Sequence, residues 1–428
     1  MNIVMMTNTF TPHVGGVARS VSSFTEEYRR RGHRVLVVAP QFPGTPQQET
    51  DVVRVPAIQN FNGSDFSMVL PVFSDLDDAL DQFTPDLIHS HHPYLLGMTA
   101  LREARARNLP LVFTHHTLYE HYTHYVPVDS PAFKRFVIEL ATRYANLCDE
   151  VFAPSGSIKT LLQKRGVKTP IEVVPTGVNV ARFTRGDGLA FRRRLGIPES
   201  AFGVGHLGRL APEKNLDFLA EAVCVFLHKQ ADTHFIIAGS GPCKTAIEQT
   251  FAAHGLTDRL HMTDVLTGQK LVDAYHAMDV FAFASKTETQ GLVLVEAMAA
   301  QVPVVALDAT GSRDVVKDKI NGRLVKEETI SAFVEALQWI AQLPPPQRNL
   351  LKQAAADTAR EFSLSRTAET ALQCYDKLIH VKRHPHSQED YDAWMRIQKR
   401  LKTEWYIIKQ MAEAAGKALT SGEPLIGR

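Results

Sequence analysis

Two glutamates in the segment SKTETQGLVLVEAMAAQVPVV, Glu288 and Glu296, are separated by seven residues. Glu288 lies among small polar residues typical of a loop, whereas Glu296 lies in an Ala-, Met- and Leu-rich run that favours a helix. A carboxylate in the second turn of such a helix can accept hydrogen bonds from two ribose hydroxyls. Glu288 could accept sugar hydroxyls, and the backbone N–H groups of Gly291 and Leu292 suit phosphate. For either glutamate alone, the simpler interpretation is a solvated carboxylate on the protein surface.

The segment GRLAPEKN, residues 208–215, is a second strand-to-helix loop with charged residues. Arg209 can bind two oxygens at once and Lys214 adds a compact charge, so the pair suits a diphosphate at a helix N-terminus. The alternative is a solvated loop. Because both loops would lie at the same edge of a parallel sheet, together they indicate a ligand site more strongly than either does alone.

The N-terminal half carries a Gly-Gly pair in TPHVGGVARS and seven histidines in two clusters, HSHH and THHTLYEHYTH. A metal site is the alternative for these histidines, but it is disfavoured because no HExxH is present and the second cluster is interleaved with Tyr119, Tyr122 and Tyr125. Such an aromatic loop is more typical of a surface that faces a sugar or a lipid. His116, at the carboxyl end of its predicted strand, is the best candidate for a polar contact with a transferred group.

The composition is that of an ordinary globular protein. The chain has 428 residues and a formal net charge of +1, which predicts two or three domains and gives no reason to expect a nucleic-acid partner. Its four cysteines are scattered, as expected in a reducing compartment. No export signal or run of about 18 apolar residues is apparent. We therefore expect a cytoplasmic protein.

The elements that must position these residues alternate between short apolar strands and helices. This pattern predicts an α/β fold with parallel sheets covered on both faces. It restarts after a polar stretch, 187–200, which suggests a linker between two doubly wound units facing each other across a cleft. The end of the chain is helical, and the apolar stripe over 391–419 either packs back on the protein or contacts a membrane or a partner.

Seven segments of the chain, taken in their order, resemble the nucleotide-sugar glycosyltransferases of family four. These enzymes have the GT-B fold of two facing Rossmann-like domains. The resemblance covers about residues 1–375 and includes the E-x7-E motif. It rests on seven segments: TFTPHVGGVARSV, PDLIHSHHPYLLG, THHTLYEHYTHY, VVPTGVNVARF, GRLAPEKN, AGSGP and TETQGLVLVEAMAA. Within the family, HTLYEHYTHY and TETQGL look most like the retaining glucosyltransferases that act on diacylglycerol.

The resemblance implies three segments: an acceptor-binding domain at 1–190, a nucleotide-sugar-binding domain at 191–365 and a helical segment at 366–428. It also implies a role for each candidate residue. Glu288 and His116 would act on the transferred sugar; Gly16, Arg209, Lys214, Val265, Gly291, Leu292 and Glu296 would bind the donor; Tyr119 and Tyr122 would face the acceptor. Two departures from the family pattern are Asp264 and Gln301, each of which replaces a common glycine.

The implied reaction moves glucose from UDP-glucose to a lipid hydroxyl, 1,2-diacylglycerol, with retention and without a metal or other cofactor. A lipid acceptor would bring the protein to the inner face of the cell membrane, through the N-terminal domain or the C-terminal helix. Four alternatives stay open: a soluble, saccharide or polyprenyl-linked acceptor; a retaining glycosidase, whose carboxyls would flank one bond about 5 Å apart; a sugar-nucleotide epimerase; and a non-catalytic sugar-nucleotide-binding protein.

Overall fold

The chain folds into two parallel sheets with helices on both faces. The structure, a computed structural model, describes residues 1–13, 15–46, 49–58, 68–69, 74–121 and 130–381. The predicted helix at 391–419 and the candidate Tyr122 lie outside these residues. Among the described residues, no helix combines the length and apolar character needed to cross a membrane.

The first sheet has seven parallel strands in the order β3-β2-β1-β6-β7-β8-β9. In chain order the strands are β1 (Asn2–Met6), β2 (Arg34–Pro40), β3 (Val52–Val55), β6 (Leu87–Ser90), β7 (Leu111–Thr114), β8 (Glu150–Ala153) and β9 (Ile171–Val173); β4 (Ala57–Ile58) and β5 (Met68–Val69) form a separate antiparallel pair. The associated helices are α1 (Gly16–Arg30), α2 (Ser74–Phe83), α3 (Leu96–Ala106), α4 (Pro131–Asn146) and α5 (Gly156–Lys164).

The second sheet has six parallel strands in the order β12-β11-β10-β13-β14-β15. They are β10 (Phe202–Leu207), β11 (Thr233–Ala238), β12 (Leu260–Thr263), β13 (Val280–Phe283), β14 (Val304–Leu307) and β15 (Gly322–Val325). The remaining helices are α6 (Val180–Phe183), α7 (Gly188–Leu195), α8 (Leu216–Lys229), α9 (Lys244–Ala253), α10 (Gly268–His276), α11 (Leu292–Ala299), α12 (Ser312–Val315), α13 (Ile330–Ala341), α14 (Pro345–Glu361) and α15 (Leu364–His380).

Alternation along the strands explains why both sheets are buried on two sides. In β1, Val4 and Met6 enter one apolar cluster whereas Ile3 and Met5 enter the cluster on the opposite face. Successive side chains of a strand point to opposite faces, so a continuous apolar run fills two layers. The predicted GT-B arrangement of two doubly wound sheets is confirmed.

The last described helix returns to the first sheet. Tyr375 of α15 is fully buried beside Tyr28 of α1, and the two rings meet edge to face. Ala368, Ala371 and Leu372 of the same helix enter the apolar cluster that contains Ile3 and Met5. The end of the described chain therefore completes the core of the N-terminal sheet.

The predicted linker at 187–200 was wrong in part, because its first half forms α7. The Asp187 side chain caps this helix by accepting a hydrogen bond from the Ala190 N–H at 2.8 Å, and Gly196 ends it in a left-handed conformation. Asp at the N-cap and Gly past the C-terminus are ordinary helix boundary signals. Both signals are present in the sequence of this stretch.

Candidate active site

The two donor loops predicted from sequence lie on neighbouring strands. Arg209 and Lys214 follow β10, and Glu288 follows β13, which pairs directly with β10. From β10 the chain proceeds to β11 and β12 on one side, and β13 to β15 lie on the other. The loops therefore flank the switch point of the sheet, which is where ligands bind in open parallel sheets.

Each cation of these loops contacts a carboxylate. The Lys214 ammonium forms an ion pair with Glu288, and the side chains are only 17% and 19% exposed. Arg209, which is more exposed, pairs with Glu213 four residues later, whose side chain is only 3% exposed. These contacts bring the predicted phosphate-binding Lys214 within reach of the predicted sugar-binding Glu288. A ligand placed between them could engage both.

Helix α11 begins as the sequence indicates. Gly291 at its N-cap has a φ of 76°, and Leu292 is the first helical residue. Glu296 lies in the second turn and is only 4% exposed. Gly311 supports the preceding loop, because a Cβ at that position would lie 2.8 Å from the carbonyl oxygen of Glu288. This close approach lets the chain after β14 pack directly against the loop that carries Glu288.

Glu296 is held by two residues that the sequence did not point to. The Arg19 guanidinium of α1 donates to one carboxylate oxygen at 2.5 Å, and the Tyr275 hydroxyl of α10 donates to the other at 2.8 Å. Burial, together with the carboxylate of Glu296, raises the pKa of Tyr275 well above its usual range. Arg19 belongs to the N-terminal sheet, so this ion pair spans the cleft between the two sheets.

The loop between Glu288 and α11 also joins the two halves. The Gln290 side-chain amide donates to the carbonyl of Thr176 at 2.8 Å and accepts from its N–H at 2.6 Å. The Thr289 hydroxyl donates to the carbonyl of His116 at 2.9 Å, and the Thr289 carbonyl accepts from the Ser155 hydroxyl at 2.7 Å. One loop of the second sheet thus sets the position of the His116 backbone.

His116 lies directly beyond β7, as predicted for a residue facing the cleft. Its Nε2 shares a 2.9 Å hydrogen bond with Nδ1 of the buried His91. Burial lowers the pKa of His116 to about 3, so its imidazole is neutral near neutral pH. Across the described ranges, no group of three or more His, Cys, Asp or Glu side chains is arranged to hold a metal ion.

The remaining candidates occupy different surroundings. Gly16 is the first residue of α1, and a Cβ added there would meet no atom within 4 Å, so its backbone is open to a ligand. Tyr119 packs edge to face against Tyr94 and His115, and its buried hydroxyl has no hydrogen-bond partner among the described residues. Val265 follows the edge strand β12 and is 54% exposed.

The exit of α11 shows how the chain accommodates Gln301 in place of the family glycine. Gln301 has a φ of 61°, and its N–H donates to the Met298 carbonyl. The next N–H, of Val302, donates to the Ala297 carbonyl. This pair of bonds is a Schellman motif, so the helix exit keeps an ordinary form without a glycine. The glutamine simply adopts the left-handed conformation.

Replacing Gln301 with glycine is therefore expected to stabilise the protein by about 1 kcal/mol, because glycine enters the left-handed region without the steric penalty of a Cβ. Equilibrium urea unfolding measures the difference. Gln342 is the matched control, since it ends α13 with a φ of −89°. Gln342→Gly should destabilise the protein, and equal effects of the two changes would contradict this explanation.

The comparisons with known proteins agree with this geometry. Residues 14–182 match the family model "Glycosyltransferase Family 4", and residues 189–357 match "Glycosyl transferases group 1". An alpha-monoglucosyldiacylglycerol synthase of Streptococcus pneumoniae is 28% identical over 79% of this chain and 78% of its own. A GDP-mannose-dependent alpha-mannosyltransferase of Mycobacterium tuberculosis is 30% identical over 76% of this chain and 84% of its own.

Solved structures support the fold. The sucrose-phosphate synthase of Thermosynechococcus elongatus superposes with a TM-score of 0.73 at 19% identity, covering 88% of this chain and 98% of that one. Anabaena HepE in complex with UDP-glucose superposes with a TM-score of 0.71 at 20% identity, covering 88% of this chain and 99% of that one. Together, the sheet topology, the two matched domains and the relatives establish that the chain is a GT-B glycosyltransferase of family four.

Proposed function

We propose that the protein transfers glucose from UDP-glucose to the hydroxyl of a lipid, 1,2-diacylglycerol, with retention at the anomeric carbon. The observation that carries the proposal is the convergence of Arg209, Lys214 and Glu288 at the switch point beside Glu296. Two cations suit the diphosphate, and two carboxylates suit the hydroxyls of ribose and sugar. The lipid acceptor is supported by the monoglucosyldiacylglycerol synthases of Streptococcus pneumoniae and Acholeplasma laidlawii, each 28% identical to this chain.

Charge stabilisation of the leaving diphosphate is the central chemical task. As the bond between the sugar and the phosphate breaks, negative charge accumulates on the phosphate oxygens. Arg209, Lys214 and the N-terminus of α11 would offset that charge from fixed positions, so no divalent metal is needed. The Lys214–Glu288 ion pair would separate on binding, with the ammonium moving to phosphate and the carboxylate to the sugar.

The acceptor would attack from the face of the sugar that the diphosphate leaves. The departing phosphate oxygen can then take the proton of the acceptor hydroxyl, and Glu288 orients the sugar without forming a covalent bond to it. His116 would contact the same sugar from the N-terminal sheet. The contacts of Thr289 and Gln290 hold the two halves together and favour exclusion of water from the cleft.

A glycosidase is less consistent with the site. Glu288 and Glu296 occupy a loop and the helix that follows it, on one side of a ligand, whereas a glycosidase needs carboxyls flanking the scissile bond. Incubation with a simple glycoside and no nucleotide sugar tests this alternative, and hydrolysis would support it.

Glu296 is expected to govern donor affinity rather than the chemical step. Glu296→Ala removes the proposed ribose contacts. The KM for the donor should therefore rise about 10- to 100-fold, which corresponds to the free energy of a hydrogen bond to a charged group, and kcat should change less. Glu296→Gln is the matched variant, because its amide oxygen can still accept from Tyr275. Steady-state kinetics measure both parameters, and a fall in kcat at unchanged KM would contradict the assignment.

The N-terminal half of α4 is the surface that we propose for membrane contact. Phe133 and Phe136 are half-buried and stack on each other, and the neighbouring Lys134 and Arg135 are exposed. Basic and aromatic residues together suit an anionic lipid interface. The C-terminal half of α4 belongs to the core instead, since Tyr144 is fully buried and donates to the carbonyl of Gly97. Flotation with anionic vesicles tests the surface, and failure to float would favour a soluble acceptor.

A second candidate acceptor is a soluble polyol or saccharide. It is favoured by a D-inositol 3-phosphate glycosyltransferase of Stackebrandtia nassauensis, which is 31% identical over 69% of this chain. The experiment that separates the candidates is a screen of UDP- and GDP-sugars against diacylglycerol, inositol phosphate and simple saccharides, with products identified by mass spectrometry. We expect a product of diacylglycerol mass plus one hexose. Binding of UDP without any product would instead indicate a non-catalytic protein.

A further inference from the structure

The contact between His91 and His116 lies behind the proposed sugar site. We propose that His91 is a positioning residue, which donates a hydrogen bond from Nδ1 to Nε2 of His116 and thereby places the single ring proton of His116 on Nδ1, where it can donate to a ligand in the cleft. The part that concerns sugar transfer rests on the proposed function. The assignment of the ring proton does not depend on the proposed function.

Only two arrangements of protons are compatible with the 2.9 Å contact. Burial lowers the pKa of both His91 and His116 well below the usual range, so each neutral ring carries one proton. Either Nδ1 of His91 donates to Nε2 of His116, or Nε2 of His116 donates to Nδ1 of His91. The choice decides whether the remaining nitrogen of His116 is a donor or an acceptor.

The other nitrogen of His91 distinguishes the two arrangements. His91 is only 1% exposed, and its buried Nε2 has no hydrogen-bond partner among the described residues. If Nδ1 accepted the hydrogen bond, Nε2 would have to carry a proton and would be a buried donor without an acceptor. If Nδ1 donates, Nε2 keeps only an unused lone pair. Buried donors without partners are rarer than buried acceptors without partners, so the arrangement in which Nδ1 of His91 donates to Nε2 of His116 is favoured.

The surrounding residues prevent His91 from turning to another partner. The His89 ring lies 4.2 Å from the His91 ring, measured between centroids. His89 is itself fixed, because Nδ1 shares a 2.6 Å hydrogen bond with the Tyr375 hydroxyl and Nε2 shares one of 2.7 Å with the Thr114 hydroxyl. Helix α15 therefore supports His116 through two neighbouring imidazoles, those of His89 and His91.

His116 is held at its backbone as well, by the hydroxyl of Thr289 from the opposite half of the molecule. Its Nε2 is engaged by His91, and no hydrogen bond joins its Nδ1 to another described residue, which leaves this nitrogen for a ligand. A neutral ring with a proton on Nδ1 donates a hydrogen bond and is a poor base. The atom it recognises must be an acceptor, such as a hydroxyl or phosphate oxygen of the donor.

Two nearly isosteric variants test the proton arrangement. Asn can place an N–H group where Nδ1 of His91 lies, whereas Asp can only accept there. We expect His91→Asn to keep kcat/KM within about threefold of wild type and His91→Asp to lower it about 10- to 100-fold, the range found when a supporting partner of a functional imidazole is lost. Should the buried Asp unfold the protein, His91→Phe preserves the stacking and removes the donor, and the same loss is expected.

The direct readout is the ¹⁵N spectrum of the histidine-labelled, ligand-free protein, in which the His116 signals are those absent from His116→Gln. In wild type and His91→Asn, we expect a protonated Nδ1 and an unprotonated Nε2 at His116, and the reverse in His91→Asp. A protonated Nε2 in wild type, or equal activity of the Asn and Asp variants, would overturn the inference. If the spectrum is as expected but no donor is turned over by wild type, the proposed function fails and the proton arrangement stands.

Discussion

Replacing Glu288 with alanine is expected to abolish measurable sugar transfer, a loss of about 10²-fold or more, while UDP still binds. The proposed role of Glu288 is to fix the sugar relative to the acceptor, and a misplaced reacting group loses about this much rate. Glu296 and the loop after β10, which would hold the nucleoside and the diphosphate, are unchanged in this variant. A radiochemical transfer assay measures the rate, and calorimetry with UDP measures binding.

A second lysine–glutamate pair offers a matched control. Glu361 pairs with Lys317 at 3.6 Å, but both side chains are exposed and neither belongs to the two donor loops. Glu361→Ala should therefore leave transfer unchanged. Near-normal transfer by Glu288→Ala, or an equal loss in the two variants, would contradict the proposed role.

Removing either cation of the loop after β10 is expected to slow transfer by about 10²-fold or more, the typical loss of one donor to a developing anion. The changes are Lys214→Met, which replaces lysine with an uncharged side chain of similar length, and Arg209→Met. Each also leaves a carboxylate without its cation, Glu288 or the buried Glu213. Thermal unfolding must therefore accompany the rate measurement, so that a folding defect is not taken for a loss of catalysis.

A double-mutant cycle separates the two contributions of Lys214. Because Lys214 and Glu288 are in contact, we expect Lys214→Met combined with Glu288→Gln to be scarcely slower than either single change. Lys317→Met, at the exposed pair, should be neutral. Wild-type rates in Lys214→Met or Arg209→Met would rule out the phosphate assignment, and full additivity would show that the two residues act independently.

The local features of the site could be predicted from the sequence. The Ser130 hydroxyl caps α4 by accepting from the Phe133 N–H at 3.1 Å, and α11 begins immediately after Gly291. Caps, glycines and apolar periodicity depend only on neighbouring residues, so they can be interpreted without a structure. The placement of both donor loops at one edge of the sheet could also be predicted, because ligands bind beyond the carboxyl ends of the strands in open parallel sheets.

The contacts across the cleft could not be predicted in this way. Arg19 and Glu296 are 277 residues apart in the chain, and Thr176 and Gln290 are 114 apart. No periodicity relates such pairs, and each residue alone is an ordinary polar side chain. The position of Arg19 three residues after Gly16 was the only local signal, because it puts the side chain on the first turn of α1 beside the proposed ligand.

Histidine-rich sequence was also ambiguous, because clustered histidines suggest metal binding as readily as packing. The structure separates the rings by their partners: His89 bonds Tyr375 and Thr114, His92 accepts from the Asn8 N–H at 3.1 Å, and His91 bonds His116. Burial then favours the neutral form of each ring. The cluster is thus largely internal support, with His116 at its edge.

The anomeric configuration of the product tests the central claim most directly. Purified protein would be incubated with UDP-glucose, dispersed 1,2-diacylglycerol and excess EDTA, and the glycolipid formed would be analysed by ¹H NMR. The account predicts a glucosyl diacylglycerol with the small H1–H2 coupling of an α-linkage, formed at the same rate with and without the chelator. A β-linked product, or transfer that stops when EDTA is added, would contradict it.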